Sequence, residues 1–212
     1  IPIPKVVQET GGRFVVSGLR LTNAGQFPNA GSMFQDYVSE MPQRGGKPLE
    51  VLLTLVRPGR KAKTLPSEAE KTLANGDDAY VLSVERTGVN AYSRSERGLI
   101  YSVHTLFHLM ETREGRPFLP SIRIDDWPDF TMRGLLDDIS RLQVSTVENF
   151  KRIIRELSRL KYNYYFLYME DMFRFEKHPT IGAAYGALTK DEVRAIVQEG
   201  KRYGVEVAPS MQ

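Results

Sequence analysis

Apolar positions fall on three helical stripes along this chain, each preceded by a capping signal. The first runs through Leu99, Ile100, Val103, Leu106, Phe107 and Met110. Ser93 and Glu96 precede it at the spacing that satisfies the free amides of a first helical turn. The second joins Val147, Phe150, Ile153, Ile154, Leu157 and Leu160 behind Ser145 and Glu148. The third joins Val193, Ile196 and Val197 behind Thr189 and Glu192, with Gly204 at the position that closes such a helix. Strand patterns lie between them. Phe14-Val15-Val16 and Leu49 to Val56 are short runs bounded by Gly and Pro, and Ala30 to Met41 between them suits one more helix. Tyr80 to Glu85 alternates, Thr87-Gly88 turns and Val89 to Tyr92 returns, which predicts a hairpin. Gly115 and Pro117 are expected to end the first capped helix, and Pro117 to Ile124 to form a last strand.

The rhythm changes after Asp125-Asp126-Trp127-Pro128. Thr131 to Leu136, the second stripe, Tyr162 to Met169, the third stripe and Val205 to Pro209 read strand, helix, strand, helix, strand. That order predicts a parallel sheet. Tyr162 to Met169 is apolar or aromatic at nearly every position, the pattern of a strand buried on both faces. The expected organisation is an α+β domain over residues 1–126 and an α/β domain over 127–212. Periodicity alone leaves a doubly wound sheet and a (β/α)₈ barrel both open. The absence of a glycine-rich phosphate loop after the first strand argues against a nucleotide-binding sheet. About 20 residues separate Met169 from Thr189, and long loops after the carboxyl end of a parallel strand commonly carry function.

Composition excludes more than it proposes. With 41% hydrophobic and 26% charged residues and a net charge of +3, the 212 residues suit an ordinary globular chain. Basic residues are interspersed with acidic ones, and the short run from Arg57 to Lys63 reads as a solvated loop, so no nucleic-acid partner is expected. No segment reaches the roughly 20 apolar residues of a membrane span. Cysteine is absent, which removes thiol nucleophiles, thiolate metal sites and disulfides. A secreted or periplasmic location is expected, with a cytoplasmic one still open.

Several side chains could carry chemistry. Arg133 lies among apolar neighbours in the first strand of the second domain, where a guanidinium needs a ligand or an internal partner such as Asp137 or Asp138. Glu170 and Asp171 follow the second strand directly, at the end where parallel folds place their sites. Adjacent residues diverge, so one can face a site while the other faces solvent. His104 and His108 have the spacing of a helical metal pair but lack the zincin glutamate and lie off the apolar stripe, which favours surface or interdomain packing over a metal. Tyr162, Tyr164, Tyr165 and Tyr168 read mainly as strand packing, with one able to form a sugar-stacking platform.

The segment Met132-Arg133-Gly134-Leu135-Leu136-Asp137-Asp138-Ile139-Ser140-Arg141 resembles the first-strand motif of glycoside hydrolase family 20, the β-N-acetylhexosaminidases. Leu160-Lys161-Tyr162-Asn163 resembles that family's Lys-Leu-Asn approach to strand two, although Phe166 and Tyr168 stand where many members have histidines. Pro179, Gly182, Gly186 and Leu188-Thr189 look like a bacterial branch, and Val207 to Gln212 resembles the third strand. Ala79 to Glu85, Gly88 to Tyr92, Gly98-Leu99 and Thr105-Leu106 resemble the accessory α+β domain, so the likeness covers roughly residues 75–212.

The resemblance implies an accessory domain followed by an incomplete (β/α)₈ barrel. It implies a retaining, substrate-assisted hydrolysis of terminal N-acetylhexosamine, in which the sugar's own acetamido oxygen attacks the anomeric carbon. Arg133 would hold sugar hydroxyls, Asp171 and the adjacent Glu170 would line the substrate wall, and Asp138 and Arg141 would support structure. No metal or organic cofactor is implied. The Asp-Glu pair of the family belongs at the end of a fourth strand, so the 212 residues are expected to be inactive alone and to self-associate through unpaired strand edges. Another barrel glycosidase of the α-glucuronidase or O-GlcNAc hydrolase type, or a non-catalytic carbohydrate-binding domain, are the competing expectations.

Overall fold

In the computed structural model, residues 2–41, 45–57, 65–66, 68–141, 143–182 and 186–210 are described. Most of the basic run at 57–63, and the Met211-Gln212 end of the third-strand motif, lie outside them. The chain divides into two units, Pro2–Thr131 and the part from Met132 onward.

The first unit is a mixed sheet with helices on both faces. Its strands are β1 (Val6–Val15), β2 (Leu19–Leu21), β3 (Leu49–Leu55), β4 (Tyr80–Glu85), β5 (Gly88–Ser93), β6 (Glu111–Arg113) and β7 (Arg116–Asp126). They lie in the order β1-β7-β4-β5-β3-β2, with β6 also paired to β7. The hairpin forms as expected, with Glu85 opposite Gly88. β5, β3 and β2 run parallel, and the remaining pairs are antiparallel.

Two helices, α1 (Pro28–Glu40) and α3 (Glu96–His108), pack together on one face. Phe107 stacks on Tyr37 at 4.3 Å and meets Phe34 edge-on at 5.5 Å. The Tyr80 hydroxyl on that face bonds the Thr105 hydroxyl at 2.6 Å. Alternation along β4 sends Val81 to the opposite face. There it joins Leu73 of the short α2 (Ala69–Leu73), Val56, Ala79 and Tyr92 in a second cluster, against which Trp127 packs.

The first capped helix starts at Ser95, two residues later than expected, with the Ser95 hydroxyl accepting from the Gly98 amide at 3.0 Å. Ser93 is the last residue of β5, fully buried, and its hydroxyl donates instead to the Ala79 carbonyl at 2.7 Å. Glu96 turns away from its own helix. Its carboxylate accepts from the Asn29 and Ala30 amides at 3.0 and 3.3 Å, capping α1, whose own N-cap residue Phe27 has no side chain able to do so. We predict that Glu96→Ala lowers stability by about 1 kcal/mol, since it orphans two helix-start donors. A urea midpoint unchanged from the parent chain would refute this cap.

The second unit holds β8 (Gly134–Asp138), α4 (Val147–Arg159), β9 (Tyr164–Tyr168), α5 (Lys190–Arg202) and β10 (Glu206–Ser210). The strands form a wholly parallel sheet in the order β10-β9-β8, matching the predicted alternation of strand and helix. Thr146, one residue after the expected Ser145, caps α4 by accepting from the Asn149 amide. Thr189 and Glu192 form the predicted capping box on α5. Gly204 takes the left-handed conformation that closes α5, with the Val205 amide donating to the Gly200 carbonyl at 2.8 Å.

Burial along β9 departs from expectation. Tyr165 and Leu167 are buried, Tyr165 against Phe150 of α4, whereas Tyr164, Phe166 and Tyr168 are half-buried. The helices cover one face of this sheet, and on the other Leu136 is 60% exposed. An aromatic run signals a fully buried strand only where both faces are covered, which is not so among the described residues.

Acid should loosen the α5 cap in a defined direction. Hydrogen bonds from the Thr189 amide and hydroxyl hold the Glu192 carboxyl below its ordinary value. A carboxyl lowered in the folded state adds stability above its unfolded value and loses it as pH falls through the folded one. Glu192→Gln should therefore be less stable than the parent at pH 7, with the gap closing below about pH 4. Denaturant midpoints measured at both pH values check it, and a gap that widens in acid would contradict it.

Candidate functional site

The two ends of the parallel sheet differ in chemistry. At the amino ends, Asn163 is almost wholly buried and ties the strands together. Its side-chain oxygen accepts from the Arg133 amide at 2.8 Å, its own amide donates to the Arg133 carbonyl, and its carbonyl accepts from Glu206. The Arg133 guanidinium donates from Nε to the Lys161 carbonyl at 2.7 Å. Lys161 occupies the left-handed position after α4, with φ +63°, and Tyr162 bonds back to Leu157. Arg133 thus fastens the turn between α4 and β9. The Asp137 and Asp138 partners considered for it lie at the far end of the same strand, and Asp137 instead accepts from the Tyr165 hydroxyl.

The carboxyl ends carry a polar cluster. Asp138 closes β8, and its Oδ1 accepts from the Ser140 amide at 2.9 Å and hydroxyl at 2.6 Å, which hold its carboxyl below the usual range with further help from Arg141. Tyr168 closes β9 in register with Asp138. Its hydroxyl donates to Glu170 Oε1 at 2.9 Å, and that bond raises the phenol above its ordinary value, so it stays a donor. Arg141 lies 3.3 Å from both Glu170 oxygens and 3.9 Å from Asp138. Glu170 has φ +45°, a left-handed bend that L residues rarely adopt. The bend accompanies the return of its carboxylate to Tyr168, while Asp171 beside it is exposed. The expected divergence of this adjacent pair is therefore seen.

The structure sets Arg141 beside Glu170 and Asp138 and brings Tyr168 to Glu170, while Arg133 stands before the amino end of β8. Five strand residues, at about 3.3 Å each, lie between Arg133 and the loop after Asp138. At the amino end the Arg133 guanidinium holds a backbone carbonyl through its Nε. Arg141, expected from the resemblance to support structure, lies three residues beyond the carboxyl end of β8, where a parallel sheet aims functional groups.

Within the described part of the connection after β9, Phe173 and Leu188 form an isolated parallel bridge. The Leu188 amide donates to the Met172 carbonyl and the Arg174 amide to the Leu188 carbonyl, both at 3.0 Å, and Met172 and Leu188 are buried. His104 is fully buried within the first unit, neither at the surface nor between domains, with Nδ1 2.8 Å from the Tyr37 hydroxyl. It belongs to the packing between α1 and α3. No group of three or more metal-binding side chains occurs among the described residues, and no helix among them is long and apolar enough to cross a membrane. Chemically, the cluster offers a planar cationic fork, two carboxylates and a phenol within one surface. That donor and acceptor set is suited to neighbouring hydroxyls of a polyol.

Comparison with known proteins agrees in fold and family. The chain is 30% identical over 176 residues to a β-N-acetylhexosaminidase of Cellulomonas fimi, covering 81% of this chain and 34% of that protein. Over 95 residues it is 30% identical to a β-hexosaminidase of Vibrio furnissii, covering 45% and 15% of the two chains. Among solved structures, an N-acetyl-β-hexosaminidase of Streptomyces plicatus superposes with a TM-score of 0.76 at 22% identity, covering 97% of this chain and 44% of the other. A family 20 exo-β-N-acetylglucosaminidase of Vibrio harveyi gives 0.76 at 15% identity, covering 99% and 35%. These structural likenesses carry the fold. The chain spans about a third of the length of the Cellulomonas fimi relative. The model of glycosyl hydrolase family 20, domain 2, matches residues 1–127, more than half of the chain, and the chain belongs to that family.

Proposed function

We propose that these residues form the opening part of a retaining exo-β-N-acetylhexosaminidase. In this reading the first unit is the accessory domain, and β8, β9 and β10 are the first three strands of a (β/α)₈ barrel. The observation that carries it is the Arg141, Glu170 and Tyr168 cluster at the carboxyl ends of parallel strands in a family 20 chain. A barrel assembles its site from the loops at those ends.

The cluster would form one wall of the subsite for a terminal N-acetylhexosamine. Arg141 presents a fork to adjacent hydroxyls, Glu170 and Tyr168 fix that fork, and Asp171 stands at the rim. Arg133 and Asn163 keep the strand starts in register below. Hydrolysis would be substrate-assisted: the acetamido oxygen attacks the anomeric carbon, an Asp orients that amide and a neighbouring Glu protonates the leaving oxygen. The resemblance assigns that Asp-Glu pair to the end of a fourth strand, beyond β10.

Two outcomes follow for a chromogenic N-acetylglucosaminide. The 212 residues alone should give no turnover, and a longer polypeptide continuing through a fourth strand should hydrolyse it. Turnover by the 212 residues alone would move the acid into this chain and overturn the assignment. An inactive longer polypeptide that still binds the sugar would favour the non-catalytic carbohydrate-binding alternative.

A further inference from the structure

A second polar groove lies in the first unit, on the sheet face covered by α2. It encloses about 250 Å³ between that helix, the edge pair β1–β7 and Trp127. Arg123, Asp125 and Trp127 alternate along the chain, so all three point to this face. Asp125 is 5% exposed, a carboxylate nine-tenths buried that needs partners. It has them: Thr72 Oγ1 donates to Oδ1 at 2.8 Å, Arg123 NH2 to Oδ1 at 3.0 Å and Arg123 Nε to Oδ2 at 2.9 Å.

Among the described residues, the hydrogen-bond inventory of this pair is incomplete on both sides. A carboxylate has about four lone-pair positions and a guanidinium five N–H groups. Asp125 receives three bonds, and Arg123 gives two of its donors to it. Glu68 lies 3.8 Å from Arg123 NH1, an ion pair too long for a hydrogen bond. Acceptor and donor capacity therefore remains at a rigid, mostly buried fork that lines an open groove. Beside it Trp127 is half-buried, packed on the Leu73, Val81 and Tyr92 cluster while still lining the groove.

Charge narrows the ligand. Lys71 and Arg123 balance Glu68 and Asp125, so the groove favours neither an anion nor a cation. A fixed donor and acceptor pair beside an indole fits a neutral ring with hydroxyls at its edge and C–H groups on its face. We infer that this groove is a binding subsite for one neutral pyranose, separate from the strand-end cluster and serving to hold a glycan on the first unit. The choice of an N-acetylated sugar as its ligand rests on the function proposed above; the groove's selectivity for a neutral ring does not.

Trp127 is the only tryptophan of the chain, so its fluorescence reads this groove directly. Titration of the 212-residue chain with N-acetylglucosamine should give a saturable shift of the emission at concentrations up to about 50 mM, and sorbitol, which has hydroxyls but no ring face, should not. Arg123→Lys keeps the charge and loses the fork, and should weaken binding about tenfold or more. Because Arg123 also supports Asp125, a thermal melt of Arg123→Lys serves as the fold control. The saturable shift should persist in Glu170→Gln.

A linear or absent response to N-acetylglucosamine overturns the inference. So does equal saturation by sorbitol, an unchanged affinity in well-folded Arg123→Lys, or loss of the signal in Glu170→Gln. Failure of the catalytic reading would appear as missing turnover in the longer polypeptide and would leave the Trp127 titration as it is.

Discussion

Replacing Gly200 by alanine should destabilise the second unit by about 2 kcal/mol, although alanine is the better helix former by about 1 kcal/mol. A Cβ at this position would stand 2.5 Å from the Val205 carbonyl oxygen and 2.8 Å from Val207 Cγ2. The first of these is backbone, and it cannot retreat cheaply, because the Val205 amide is bonded to the Gly200 carbonyl in the turn that leaves α5. Overpacking against a fixed backbone costs about 1–3 kcal/mol, with more at the rigid extreme, so the clash outweighs the propensity gain. Gly12→Ala is the control: nothing lies within 4 Å of its added Cβ, and its effect should stay within about 0.5 kcal/mol. Denaturant midpoints of both variants measure this. A stabilised Gly200→Ala would mean that α5 sits farther from β10 than described.

The second large effect concerns catalysis in the longer polypeptide and rests on the proposed function. Arg141→Met should lower kcat/KM by about 100-fold, roughly 2.7 kcal/mol of transition-state stabilisation, because Glu170 and Asp138 then share a surface with no cation between them and the sugar hydroxyls lose a fork. Arg133→Lys should do the reverse. It removes the Nε bond to the Lys161 carbonyl, and so should lower the melting temperature while leaving kcat/KM near the parent value. The opposite pattern, with Arg133 controlling turnover and Arg141 only stability, would restore the reading first taken from the motif.

The two arginines show where sequence was sufficient and where it was not. The parallel sheet was legible because each helix carries its own start signal and its own apolar stripe, and strand-helix alternation has few topological solutions. Which end of a strand a side chain serves is harder to see. Arg133 looked like a buried charge in need of a ligand, and its Nε meets a main-chain carbonyl, a partner that no sequence letter announces. The β1 strand was legible only at Phe14 and Val15, because Gln8 to Arg13 is exposed and held by β7 through backbone bonds, with the register shifting between Glu9 and Arg13. The short α2 was missed, although it covers the groove beside Trp127. Cap positions slipped by one or two residues because several hydroxyls were available, and tertiary contacts chose among them: Ser93 was taken by Ala79, which left Ser95 to start α3.

The left-handed backbone at Glu170 sets stability against chemistry at one position. Glycine would adopt φ +45° without the roughly 1 kcal/mol that an L residue loses there, so a selection for thermal resistance alone would tend to favour Glu170→Gly. The same change would remove the carboxylate that Tyr168 and Arg141 hold. Under the proposed function, a lineage drifting toward glycine at this site would be trading sugar recognition for robustness, and a carboxylate kept here against that gradient would mark a chain still selected for its substrate.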